Sequence, residues 1–134
     1  MIDYGLTKAL YVFLTETKTI TKAVKRIYTH VPPDISTPYL HFYMLEAHDG
    51  SIIRECPQAI LKIKLDLYSR GTSVIELHDI MGCLSQSLDG LVLPLAWNQQ
   101  SGSACFKESE QSYGVLRDEL TRKGELTYHC RIMF

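Results

Sequence analysis

The sequence predicts an α+β fold: a two-layer domain with a mostly antiparallel sheet of four to five strands and two helices packed on one face. Three observations predict it. Ala59 to Tyr68 alternates strictly, with Leu61, Ile63, Leu65 and Leu67 on one side and Lys62, Lys64 and Asp66 on the other, which is the period of a strand with one buried face. Leu77, Ile80, Met81, Leu84 and Leu88 then recur at helical spacing. Glu125 to Phe134 alternates again, with Leu126, Tyr128, Cys130, Ile132 and Phe134 against Thr127, His129, Arg131 and Met133. Short connections between neighbouring strands favour antiparallel pairing, and amphipathic helices cover one face of such a sheet.

The elements follow in order. Met1 to Thr15 reads as a helix that Asp3 can cap, with Leu6, Leu10, Phe13 and Leu14 in one stripe. Thr15-Glu16-Thr17 interrupts it. Ile20 to Tyr28 reads as a short second helix, its wet side carrying Lys22, Lys25 and Arg26. That basic trio is the kind a solvated helix face carries more often than a phosphate site. Pro32, Pro33 and Pro38 make His30 to Pro38 a loop. Tyr39 to Ala47 is dense in aromatic and apolar residues and reads as a strand with both faces at least partly covered. His48-Asp49-Gly50 signals a turn, and Ser51 to Pro57 a looser link.

After the Ala59 strand, Ser69-Arg70-Gly71 breaks the pattern. Ser73 and Glu76 have the spacing of a capping box, and Asp89-Gly90 supplies the helix stop. Leu91 to Trp97 reads as a strand that Pro94 confines to an edge. Trp97 is in phase with its apolar positions and suits either a core or an interface anchor. Asn98 to Ser103 reads as a turn and Ala104 to Glu110 as the returning strand. Tyr113 to Lys123 fits either a helical turn or a loop.

The chain has 134 residues, 46% of them apolar and 22% charged, as expected of one soluble domain spanning residues 1–134. Its net charge of −1 lacks the basic excess of a general nucleic-acid binder, while leaving room for a local basic patch. Cys56, Cys83, Cys105 and Cys130 form no C-x-x-C pair. Reduced thiols in a cytoplasm are the ordinary reading beside a metal or disulfide one. No leader and no apolar run near the ~20 residues of a membrane span is expected.

No catalytic motif is present: no H-E-x-x-H, P-loop, G-x-G-x-x-G or G-x-S-x-G. His78 and Asp79 are neighbours on a helix and diverge by about 100°. No cofactor or metal is expected. The polar sheet face therefore holds the candidate residues: Lys62, Lys64 and Asp66, with His129 and Arg131. His129 and Arg131 can bind an anion or simply face water.

Several pieces together resemble a known family. They are the N-terminal helix, the loop ending Pro38-Tyr39-Leu40 into a strand, and the strand end Leu65-Asp66-Leu67-Tyr68-Ser69-Arg70. The following helix, its exit at Leu88-Asp89-Gly90 and the final Leu126-x-Tyr128-x-Cys130-Arg131-Ile132 complete the set. From about Leu6 to Ile132 the chain is similar to the tail completion, or tail terminator, proteins of long-tailed bacteriophages and related gene transfer agents. It departs from them at Pro94 and over Asn98 to Lys123.

The resemblance implies a non-enzymatic virion protein, made in a bacterial cytoplasm. It would assemble as a hexameric ring at the neck end of the tail, stopping the tail tube protein from polymerising and meeting the head connector or stopper. Lys62, Lys64, Asp66, His129 and Arg131 would then be assembly or lumen residues, in a channel that DNA crosses without tight binding. The proline loop Val31 to Pro38 and the region Asn98 to Lys123 would contact tube or connector. The alternatives are a head–tail joining neck protein, or a small enzyme or ligand-binding domain with a pocket near His41 or His129.

Overall fold

A computed structural model describes residues 2–24, 26–32, 37–49, 58–70, 75–97, 100–115 and 121–133. Helix α1 spans Ile2–Glu16 and α2 Lys18–Ala23. Strands β1 (Arg26–Tyr28), β2 (Tyr39–Asp49) and β3 (Gln58–Arg70) follow. Helix α3 (Ile75–Leu88) precedes β4 (Val92–Trp97), β5 (Gln100–Val115) and β6 (Thr121–Met133). The strands form one mixed sheet in the order β1-β2-β3-β6-β5-β4. Among the described residues only β1 and β2 pair in parallel. The fold is mixed α+β, with six strands and three helices among the described residues where four to five and two were expected.

The centre of the sheet is the β3–β6 pair, in unbroken register from Gln58↔Met133 to Arg70↔Thr121. That register puts Leu61, Ile63, Leu65 and Leu67 on the same face as Leu126, Tyr128, Cys130 and Ile132. All eight are at most 1% exposed. Onto this face α3 lays the stripe read from the sequence: Leu77, Ile80, Met81, Leu84 and Leu88 are all buried. Gly124 makes the close approach possible. A Cβ there would stand 2.6 Å from Met81 Sδ and 3.2 Å from Leu77 Cδ1. Helix α1 contributes Leu6, Leu10 and Leu14 to the same buried cluster, with Phe13 half-buried beside them.

Helix α1 packs on β4 and also on β1 and β2. These strands lie at opposite ends of the sheet order, so the sheet curls until both ends reach one helix. Pro94 sits in the edge strand β4, as a residue without an N–H requires. Gly5 of α1 lies against the Ala96 carbonyl, so that carbonyl points toward the helix and away from β5. Pro94, two residues earlier, has the same outward direction, and its missing donor costs no ladder bond.

Several boundaries differ from the sequence reading: β2 runs on through His48 and Asp49 and β5 starts at Gln100, where turns were expected, because the neighbouring strands β3 and β4 supply their ladders. The Ile20–Tyr28 helix stops at Ala23, and Val24 is extended at φ −121° and ψ 128°. Ile27 and Tyr28 instead form β1 beside Leu40 and His41. β-Branched and aromatic side chains lose rotamer freedom in a helix and pack better on a pleated surface. Helix α1 begins at Ile2, so Asp3 lies in its first turn instead of capping it. Strand β3 runs through Ser69 and Arg70, which the sequence reading treated as a break, because β6 continues beside it to Thr121. Ser73, the cap expected for α3, lies outside the described residues. Glu76 has a different partner: its Oε1 accepts a 2.6 Å hydrogen bond from buried Ser69 Oγ, tying the end of β3 to the first turn of α3.

The Tyr113–Lys123 segment resolves as strand on both sides of residues 116–120: β5 reaches Val115 and β6 starts at Thr121, with Val115 opposite Arg122. At the helix exit Gly90 takes φ +79°, the left-handed conformation that favours glycine after a helix. Gly90 N–H donates to Phe106 O at 2.9 Å, and Phe106 N–H returns to Leu91 O at 2.8 Å. Asp89 Oδ1 accepts from Glu108 N–H at 3.0 Å.

Replacing fully buried Leu84 by alanine is expected to cost about 2–5 kcal/mol in urea unfolding, the range for large-to-small changes in a core. Gly124→Val is expected to cost about 1–3 kcal/mol by pushing Met81 and Leu77 off the sheet. A Gly124→Val protein as stable as the parent would show that α3 is not seated there.

Candidate functional site

The face of the sheet turned away from α3 is assembled by the same register that builds the core. In β3 it carries Lys62, Lys64, Asp66 and Tyr68; in β6, Lys123, Glu125, Thr127, His129 and Arg131. Lys62 stands opposite His129, Lys64 opposite Thr127 and Asp66 opposite Glu125. Strand β2 adds Tyr39, His41 and Tyr43 opposite Tyr68, Asp66 and Lys64. Strand β5 adds Lys107 opposite His129 and Cys105 opposite Arg131. All five residues singled out from the sequence thus lie on one face. They differ in exposure: His129 and Arg131 are exposed and Lys62 and Lys64 half-buried. Asp66, expected on the wet side, is only 3% exposed.

Asp66 is covered because its neighbours on this face are large and engaged with it. Tyr43 Oη donates to Asp66 Oδ2 at 2.9 Å, and Lys123 Nζ lies 3.6 Å from the same oxygen. Lys123 also reaches Glu125 Oε1 at 3.1 Å, and Lys64 reaches that oxygen at 3.1 Å from the other side. Lys123 further sits 5.6 Å from the centre of the Tyr68 ring, within cation–π range. Tyr68 stacks on Tyr39 at 4.7 Å, and Tyr39 meets Tyr28 edge-on at 6.2 Å. Asp66 Oδ1 is buried without a hydrogen-bond partner among the described residues.

These contacts move the protonation equilibria in consistent directions. Burial, and then the hydrogen bond to Asp66, push the Tyr43 hydroxyl up to about 12. Burial works against charge on Lys123. The Glu125 hydrogen bond and the Asp66 charge outweigh it and hold the ammonium above the ordinary lysine value. Burial likewise opposes charge on Glu125, but hydrogen bonds from Lys123 and Lys64 hold its carboxyl below the usual range.

Beyond this network the face changes character. Lys62, Lys107, His129 and Arg131 gather at the end where β3 begins and β6 finishes. Ile60, Cys105, Lys107, His129 and Arg131 line an open groove there. Lys107 went unnoticed in the sequence because the Ala104–Glu110 strand could not be aligned with β6 before its register was known.

Neither histidine flagged for a pocket lines an enclosed one among the described residues. His41 Nε2 lies 3.2 Å from Thr29 O and its ring packs on Tyr43 at 4.8 Å, while His129 is exposed. A small void between α1 and β2, lined by Leu6, Leu10, Phe42 and Ile63 among others, holds about 10 Å³, room for one water at most. Among the described residues no group of three or more His, Cys, Asp and Glu is placed to hold a metal ion. None of the helices there is long and apolar enough to cross a membrane. Cys130 is buried, and burial pushes its thiol up to about 12. The side chain of Trp97 lies outside the described residues.

A Glu125→Gln variant tests the network. A carboxyl held low in the folded state stabilises above its unfolded pKa of about 4.3, and that stability is lost as pH falls through the lower folded value. The variant is therefore expected to be less stable than the parent near pH 7, with the gap closing as pH falls below the unfolded carboxyl value in urea titrations. A gap independent of pH would remove Glu125 from the network.

No family model and no curated protein matches this chain. Among solved structures, it is similar to a chain of a structure described as "Virion of native gene transfer agent (GTA) particle". The superposition has a TM-score of 0.83 and covers 97% of this chain and 96% of the other, at 14% sequence identity. At that identity the two chains share a fold from end to end.

Proposed function

We propose that this chain is a structural protein of a phage-like or gene-transfer-agent-like virion, and within it the tail terminator. In this reading six copies close into a ring at the neck end of the tail. The ring stops addition of tail tube protein and meets the head connector or stopper. The observation that carries the virion assignment is the fold held in common, over almost the full length of both chains, with a chain of a gene transfer agent virion. The narrower assignment rests on the sequence pieces that resemble tail terminators, from the Pro38-Tyr39-Leu40 strand entry to Leu126-x-Tyr128-x-Cys130-Arg131-Ile132.

The architecture supports such a role physically. Strand β1 covers only Tyr39 to His41 of β2, so from Phe42 to Asp49 the outer edge of β2 has no partner strand among the described residues. On the other side of the sheet, β4 and the turn before it cover β5 only as far as Glu108. Open edges at opposite ends of one sheet suit a heterologous contact, which repeats from copy to copy and closes when the rotation fits. The polar face carries both signs of charge, which suits a channel that must let DNA slide without binding it tightly.

Purified protein incubated with tail tubes is expected to give a six-fold ring at one tube end by electron microscopy. A protein that stays monomeric and never joins tubes would end the proposal. Charge reversal at Lys62 is expected to leave the fold intact and reduce ring closure or DNA delivery. Lys64→Glu should additionally lower stability, because the new carboxylate would face Glu125. Normal tail length and full infectivity of the Lys62→Glu particle would remove Lys62 from the lumen.

A further inference from the structure

We propose that the cationic corner of the polar face, Lys62, Lys107 and Arg131 with His129 beside them, is a contact for the phosphate backbone of duplex nucleic acid. The inference deepens the proposed function, and rests on it only for the supply of DNA. Lys107, His129 and Lys62 stand in one row across β5, β6 and β3. Arg131 occupies the next row between Cys105 and Ile60. With strands about 4.8 Å apart and same-face residues about 6.7 Å apart along a strand, the four fall within roughly 10 × 7 Å.

The corner differs from the rest of its face in what balances the charge. Lys64 and Lys123 are committed to Glu125 and Asp66. None of Lys62, Lys107 and Arg131 is in an ion pair among the described residues. The acids nearest by register are Glu46, opposite Lys62, and Glu110, opposite Thr127, both at the border of the cluster. One half of the face is thus internally neutralised, and the other, with three cations beside two acids, keeps a positive excess.

A phosphate backbone suits this corner better than an acidic protein does. Protein partners are held by buried aromatic or arginine anchors in pockets, and this groove is open, with Ile60 and Cys105 as its other lining residues. Backbone contacts need only placed cations and read no sequence. Three permanent charges give weak, salt-sensitive binding, which allows DNA to move past.

The test is fluorescence anisotropy of a labelled duplex of about 20 base pairs with the purified full-length chain, at several salt concentrations from about 50 mM. Binding is expected to weaken with salt at a log–log slope of about −2 to −3, for about three neutralised phosphates. The triple variant Lys62→Gln, Lys107→Gln, Arg131→Gln should bind at least about tenfold more weakly with a slope near zero. Its circular dichroism and melting should match the parent. A control with Lys8→Gln and Lys22→Gln, exposed on the helices, should bind as the parent does.

Parent-like binding by the triple variant would overturn the proposal. So would polyglutamate competing as well as DNA at matched charge, which would assign the corner to an acidic protein. A ring former whose triple variant still binds DNA refutes this inference alone. A DNA binder that never joins tubes refutes only the terminator reading.

Discussion

The register of β3 against β6 is the constraint on which the rest of the molecule depends. Each strand is 13 residues long and the pairing has no slip, so one alternation fixes both faces of the sheet at once. A shift of one residue would carry Leu61 through Leu67 to the polar side and Lys62 through Asp66 under α3. The penalty for burying those charges without partners far exceeds the stability of a small domain. The core and the candidate site are therefore two readings of a single pairing decision.

The polar face shows how far a sheet can cover charge without a second layer. Asp66 is almost fully buried even though no helix among the described residues lies over it, because Tyr43 and Lys123 reach across from neighbouring strands. The aromatic row Tyr28, Tyr39 and Tyr68 extends that cover toward β1. Among the described residues the cationic corner has no such roof. The contrast comes from side-chain size: Tyr39, His41 and Tyr43 crowd one end, whereas Cys105 and Ser103 stand among the cations at the other.

Much of this was legible in the sequence. The alternation of Ala59 to Tyr68 and Glu125 to Phe134 specified the central strands, and the stripe from Leu77 to Leu88 specified α3 with every buried position in place. Pro94 correctly marked an edge. What was not legible depended on partners distant in sequence. Ile27 and Tyr28 carry helical spacing, and only the presence of Tyr39 to His41 beside them makes a strand the better state. Ser69 and Arg70 look like a break until β6 supplies their ladder. Lys107 joined the site only through the β5–β6 register, which includes an irregularity between Glu108 and Glu110. Asp66 showed period-two polarity, but its burial needed the Tyr43 and Lys123 side chains from two other strands.

Helix α1 works as a clasp. Synthesised before β4, it waits until the segment around Ala96 exists before it can close on that strand. Contacts so far apart in the chain are costly in loop entropy and form late. During that interval Leu93 and Leu95 have no lid, and the flank of β4 is open to any passing strand. Loosening the clasp would therefore register first as clumping of nascent chains, while the helical and sheet content of the survivors stayed unchanged.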